Sequence, residues 1–112
     1  MSADLRHGRW QDVLADVTCD AFISDPPYSE RTHAGTADIG AIGGRQSLSY
    51  ASLSADDVHA LVMHWSPRTS GWMACFCDDA LIHVYRAAFA DAGRFDFAAV
   101  PWLQHRPRLP GD

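Results

Sequence analysis

Cys19-Asp20-Ala21-Phe22-Ile23-Ser24-Asp25-Pro26-Pro27-Tyr28 is the stretch on which the fold turns. Its first six residues are compact and largely apolar towards Ile23, the pattern of a short buried strand. The strand cannot continue past Ser24. Proline lacks the N–H that a central strand donates, and it restricts the backbone of the residue before it. A strand over residues 19–24 is therefore expected to stop at Asp25, where the chain must turn.

Working outward, Trp10, Val13, Leu14 and Val17 recur at i, i+3, i+4 and i+7, which predicts a helix over residues 10–17. Leu5 to His7 read as a short opening strand. Residues 29–53 are rich in Gly, Ser, Thr and Ala with little periodicity, so they read as a long loop. A loop of that length in a small domain generally serves as a lid or binding segment. Ser54 then has the chemistry of a helix N-cap, with Asp56 and Asp57 placed to favour the dipole. Val58, Leu61, Val62 and Trp65 form the buried stripe of that helix, and Pro67 closes it.

Trp72 to Cys77 predict a second buried strand, bounded by Gly71 and by Asp78-Asp79. A further helix is expected over Asp79 to Ala92, with Leu81, Tyr85, Ala88 and Ala92 on one face and Gly93 as C-cap. Phe95 to Leu103 read as a third strand interrupted by Pro101. Strands alternating with helices point to a single α/β domain with a sheet that is at least partly parallel. Trp65, Trp72 and Trp102 all fall at core-like positions. The run from Arg106 to Asp112 reads as a polar connector, so the α/β core is expected to be incomplete on its C-terminal side.

Composition narrows the class. At 112 residues and 47% hydrophobic content, the chain suits one globular domain with a modest core. No apolar run approaches the roughly 20 residues of a membrane span, and no signal-peptide pattern opens the chain, so the expected location is cytoplasmic. The three cysteines, Cys19, Cys75 and Cys77, do not form a disulfide framework and read as buried structural thiols. His59 and His64 stand five apart on one helix, whereas metal pairs prefer i, i+4, so both read as surface residues and no metal is expected. The net charge is −5 and the nine Lys+Arg cations are all arginine. Charge alone does not point to nucleic acid, which normally meets a basic surface.

The chemistry-bearing feature is the strand end. In open α/β sheets, ligands bind outside the carboxyl ends of the strands. Asp25 held by Pro26 and Pro27 is a rigid carboxylate beside a rigid carbonyl. These two acceptors suit an exocyclic amino group with two donors, and Tyr28 adds a face on which a planar base stacks. An enzyme that flips a base from the duplex needs such a platform. Asp78-Asp79, at the end of the second strand, faces either this edge or the next helix; the helix-start reading is preferred.

Asp25-Pro26-Pro27-Tyr28, placed after Asp20-Ala21-Phe22-Ile23-Ser24, resembles the catalytic motif of amino-directed DNA methyltransferases. Leu5 to Leu14 are similar to the glycine-containing segment that precedes this motif when it lies near the N-terminus. Ser29 to Gly35, the Trp72 strand and the Arg108 to Asp112 tail look like phage and prophage members. The resemblance implies a Rossmann-like core, S-adenosylmethionine as cofactor, and DNA as partner. It further implies that Asp25 and the Pro26 carbonyl hold the target amine while Tyr28 stacks on the base, with adenine favoured over cytosine. Pro27 completes the catalytic motif.

Two departures accompany it. Arg9 stands where members usually carry an acid that contacts the cofactor. The methyl-donor loop, expected after the motif, has only Asp38-Ile39-Gly40-Ala41-Ile42-Gly43-Gly44 as a candidate, without a recognisable strand before it. One alternative reading is an inactive fragment or accessory base-binding module that lacks a donor site. Another is a methyltransferase acting on RNA or a protein amide. His33, and the run His105-Arg106-Pro107-Arg108, read as exposed groups rather than phosphate contacts.

Overall fold

The computed structural model describes residues 2–29 and 52–103. In chain order these form α1 (Trp10–Val13), β1 (Phe22–Ser24), α2 (Ala55–Trp65), a 3-10 turn (Ser66–Arg68), β2 (Met73–Cys75), a second 3-10 turn (Asp79–Leu81) and α3 (Ile82–Asp91). β1 and β2 pair in parallel, with Phe22 opposite Met73, Ile23 opposite Ala74 and Ser24 opposite Cys75. Parallel neighbours require a crossover connection, and α2 lies within it. The result is one βαβ unit followed by a second helix.

α2 begins where the residue chemistry predicts. Ser54 Oγ accepts from the Asp57 N–H at 3.1 Å, and Asp57 Oδ2 accepts from the Ser54 N–H at 3.0 Å, a reciprocal capping box. Val58, Leu61, Val62 and Trp65 are all buried along its inner face. Pro67 falls in the following 3-10 turn, because it has no N–H to extend the α-helical ladder. α3 presents Tyr85 and Ala88 to α2, with Leu81 from the preceding turn beside them. Phe22 of β1 stacks on Trp65 at 5.1 Å, which joins the sheet to this helical layer. Trp10 of α1 packs on both His64 (4.8 Å) and Trp65 (5.9 Å).

Met73, Cys75 and Cys77 alternate along β2 and its extension, so all three face the same core. Burial pushes the Cys75 thiol up to about 12, with the neighbouring Cys77 adding to the effect. All three cysteines are half-buried and none is bridged, so all are less deeply placed than the sequence suggests.

Arg94 locks the entry to β2. Its Nε donates to Ser66 Oγ at 2.7 Å, one Nη to the Gly71 carbonyl at 2.7 Å, and the other to the Ser66 and Thr69 carbonyls. Gly93, at φ 75°, makes this approach possible, because it lets the Arg94 N–H return to the Phe89 carbonyl at 2.9 Å.

Several expectations are corrected. α1 spans only Trp10–Val13, and the Val17 N–H returns to the Leu14 carbonyl in a turn. One helical turn has little stability of its own, and Leu14 and Val17 reach the core without being helical. Ladder pairing in the first strand starts at Phe22, with Cys19 joined to Thr69 only by an isolated bridge. The second strand likewise narrows to Met73–Cys75. Leu5 to His7 form no strand; Arg6 instead binds Asp4 and the Val13 carbonyl. Phe95 to Leu103 are without ladder partners among the described residues.

Trp72 and Trp102 are 65% and 75% exposed rather than in the core, because the outer face of the two-stranded sheet carries no helix among the described residues. Phe97 packs on Trp72 at 4.6 Å and Trp102 meets Phe76 at 6.0 Å on that face. His64, expected at the surface, is half-buried against Trp10, whereas His59 is exposed and lies 3.5 Å from Asp91. Among the described residues no helix is long and apolar enough to cross a membrane.

Candidate active site

The last ladder bond between the strands runs from the Phe76 N–H to the Ser24 carbonyl at 2.9 Å. Beyond it no further backbone bond joins the two segments among the described residues. β1 continues into Asp25-Pro26-Pro27, which cannot donate to a neighbour at either proline. β2 continues through Phe76 and Cys77 to Asp78. The segment leaving β1 carries a cleft of about 350 Å³ lined by Asp25, Pro26, Pro27 and Tyr28. All four residues singled out in the sequence thus line one cavity, at the carboxyl ends of parallel strands.

Asp25 is exposed to solvent while Pro26, Pro27 and Tyr28 are half-buried. The Tyr28 hydroxyl donates to Asp25 Oδ1 at 3.2 Å, which sets the ring beside the carboxylate. Burial raises the Tyr28 phenol above its ordinary range, and the charge and hydrogen bond of Asp25 add to this, followed by Cys77 and Asp78. Near neutral pH Tyr28 is therefore a protonated donor. The Asp25 carboxylate keeps lone pairs open to the cleft, since one 3.2 Å bond occupies a fraction of its acceptor capacity.

Tyr28 is held through its backbone as well. Its carbonyl accepts from the Leu53 N–H at 3.0 Å. The next residue, Ser29, is 7% exposed and donates through both its N–H (3.3 Å) and its hydroxyl to Asp78 Oδ2. Asp78 therefore ties the end of β2 to the segment leaving β1. Asp78 also stands at the N-cap of the second 3-10 turn, with Asp79 in its first turn, as the helix-start reading expects, but its side chain makes no cap hydrogen bond and is turned to Ser29 instead. Sequence reasoning weighed the site edge for this residue and gave it second place. The available signal was position, because an acid three residues beyond β2 stands beside the end of a parallel neighbour.

The other implied features fall elsewhere. Arg9 is exposed and precedes α1. His33, Asp38 to Gly44 and His105 to Arg108 lie outside the described residues. A second cleft of about 400 Å³, lined by Thr18, Cys19, Asp20, Pro67, Arg68 and Ser70, sits at the opposite, amino ends of the strands. Among the described residues no group of three or more His, Cys, Asp or Glu side chains is arranged to hold a metal ion.

The described cations are largely engaged. Arg6 pairs with Asp4 at 2.9 Å, Arg86 with Asp96 at 3.0 Å, and Arg94 is consumed by serine and carbonyl oxygens. Arg68 donates to the His64 carbonyl at 2.7 Å. Comparison with protein-family models, with curated proteins and with solved structures finds no match for the chain.

Proposed function

We propose that the chain presents the target-base site of an amino-directed DNA methyltransferase with a Rossmann-like core, acting on adenine with S-adenosylmethionine as donor. The observation that carries this reading is the cleft in which Asp25, Pro26, Pro27 and Tyr28 converge at the carboxyl ends of two parallel strands. An exocyclic amine conjugated to a purine is a weak nucleophile, because its lone pair is shared with the ring. Accepting both of its N–H groups orients the nitrogen and restores electron density to it. Asp25 supplies one acceptor and the Pro26 carbonyl the second, while the two prolines keep their separation constant. Tyr28 supplies the stacking face, worth about 1–3 kcal/mol per base in related settings.

The methyl donor is a separate matter. Among the described residues neither strand end forms a glycine-rich turn, since β1 runs into two prolines and β2 into Phe76, Cys77 and Asp78. The described residues therefore do not fit a donor site, and they are assigned the acceptor's part alone: binding, orienting and holding the amine protons.

The test uses the full chain and short single-stranded DNA observed by NMR at low salt. Oligo-deoxyadenosine is expected to shift the signals of Asp25 to Tyr28. An otherwise identical strand carrying N6,N6-dimethyladenine, which has no amine N–H, is expected to bind several-fold more weakly. Asp25→Ala should remove that discrimination and Tyr28→Ala should weaken both strands. Equal binding of the two strands by the unaltered chain, or shifts confined to other surfaces, would sink the proposal. Label transferred from tritiated S-adenosylmethionine to RNA or protein, with none to DNA, would redirect it to those substrates.

A further inference from the structure

The geometry points to Asp78 as a positioning residue of the cleft, which acts through Ser29 to hold Tyr28 against Asp25. The inference rests on reading the cleft as the base site, and it adds a residue from the second strand to a motif carried by the first. Ser29 Oγ and Ser29 N–H both donate to a single Asp78 oxygen, and Ser29 is 7% exposed. After the Phe76 to Ser24 bond the backbone ladder ends, and the prolines offer no donor to continue it. The Ser29–Asp78 pair is a part-buried side-chain link between the two strand ends beyond that point. Tyr28 precedes Ser29 directly, so fixing Ser29 restricts the backbone from which the Tyr28 ring projects. The Leu53 N–H to Tyr28 carbonyl bond and the Tyr28 hydroxyl to Asp25 bond then settle its remaining freedom.

A purely structural acid would affect the core as a whole. Asp78 differs, because its Oδ2 accepts from Ser29, outside the core of Val58, Leu61, Val62, Trp65, Leu81, Tyr85 and Ala88. Its loss is therefore expected to loosen Tyr28 while the helical layer stays intact. Asparagine at this position keeps an acceptor oxygen of the same reach and preserves the link in weakened form.

The experiment labels tyrosine at Cζ with carbon-13 and follows Tyr28, assigned by its absence in Tyr28→Phe, together with the methyl signals of Val58 and Val62. In Asp78→Ala the Tyr28 signal is expected to move and its phenol to titrate nearer its ordinary range, with both valines unchanged. Oligo-deoxyadenosine affinity should fall about tenfold, the weight of one hydrogen bond to a charged group. Asp78→Asn should restore Tyr28 in large part and affinity to within about threefold. An unchanged Tyr28 signal in Asp78→Ala would overturn the inference, as would valine shifts in step with those of Tyr28. If the unaltered chain binds no oligonucleotide, yet Tyr28 responds to Asp78→Ala alone, the clamp stands and the base-site reading falls.

Discussion

Tyr85→Phe tests the packing beneath the cleft most directly. Tyr85 is 4% exposed, and among the described residues its buried hydroxyl has no hydrogen-bond partner. A buried hydroxyl without a partner costs roughly 1–3 kcal/mol in desolvation, and removing it recovers that penalty. The void left by one oxygen is smaller than a methyl group, whose absence costs about 1 kcal/mol. The ring and its contacts with Phe89 remain. The variant is therefore expected to be about 1 kcal/mol more stable at pH 7, or about 5 °C in Tm for a domain of this size.

The same substitution has an alkaline signature. Burial raises the Tyr85 phenol well above its ordinary range, and Cys75 and Cys77 raise it further. A folded-state pKa above the unfolded value means that the folded state retains the proton longer. That contribution is fully present below the unfolded pKa of about 10 and is lost as pH climbs beyond it. Cys75, raised to about 12, has the same sign. Its share begins to be lost near the unfolded thiol value of about 8.5.

Urea unfolding followed by tryptophan fluorescence at pH 7, 9 and 11 separates these contributions. Both proteins should weaken between pH 7 and 9, through Cys75. Above about pH 10 the unaltered chain should lose stability more steeply than Tyr85→Phe, which keeps the losses from Cys75, Cys77 and Tyr28 but not that of Tyr85. A variant more than about 1 kcal/mol less stable at pH 7 would refute the reasoning, because it would show that the hydroxyl is partnered. Identical alkaline profiles would refute it as well.

Three further substitutions probe the scaffold. Ser54→Ala removes half of the capping box and should cost about 1 kcal/mol in urea unfolding. Asp57, held below the usual carboxylate range chiefly by the Ser54 backbone N–H, then by its side chain, should also lose part of its acid-side effect. In the unaltered chain that stabilisation is present above the unfolded value of about 3.9 and fades as pH falls through the lower folded value. Arg94→Lys keeps the charge but cannot reach Ser66, Thr69 and Gly71 together, so a loss of about 2–3 kcal/mol is expected; an unaltered midpoint would contradict that role. Gly71→Ala would place a Cβ 2.5 Å from the Asp20 backbone carbonyl, so the strands must separate there. Overpacking of this kind costs about 1–3 kcal/mol, and circular dichroism melting should show a correspondingly lower Tm.

Local chemistry made part of the molecule legible. Ser54 with Asp57 set the start of α2, because a capping box needs only residues three apart. The stripe Val58, Leu61, Val62 and Trp65 set its inner face, and Leu81, Tyr85 and Ala88 did the same for α3, because helical periodicity is a property of neighbours. The prolines after Asp25 settled where β1 had to end. The conversion of Phe95 to Leu103 from expected strand to unpaired segment shows the limit: a strand exists through its partner, and none stands beside these residues among those described. Trp72 and Trp102 failed for a related reason, since whether an apolar face is covered depends on what lies over it.

By itself, then, the sequence determined the positions of the two main helices, the stop at Asp25 and the four residues that line the cleft. Each follows from backbone constraints or spacing within a few residues. The alternation of strands and helices already pointed to parallel pairing, but only the tertiary structure decided that β1 and β2 are neighbours, in a register that brings Ser24 opposite Cys75. That pairing places Asp78 against Ser29, 49 positions away in the chain. No local preference encodes such a contact. It arises because α2 crosses over and returns the chain beside β1, so two strand ends whose ladder stops at a pair of prolines are rejoined by a side chain.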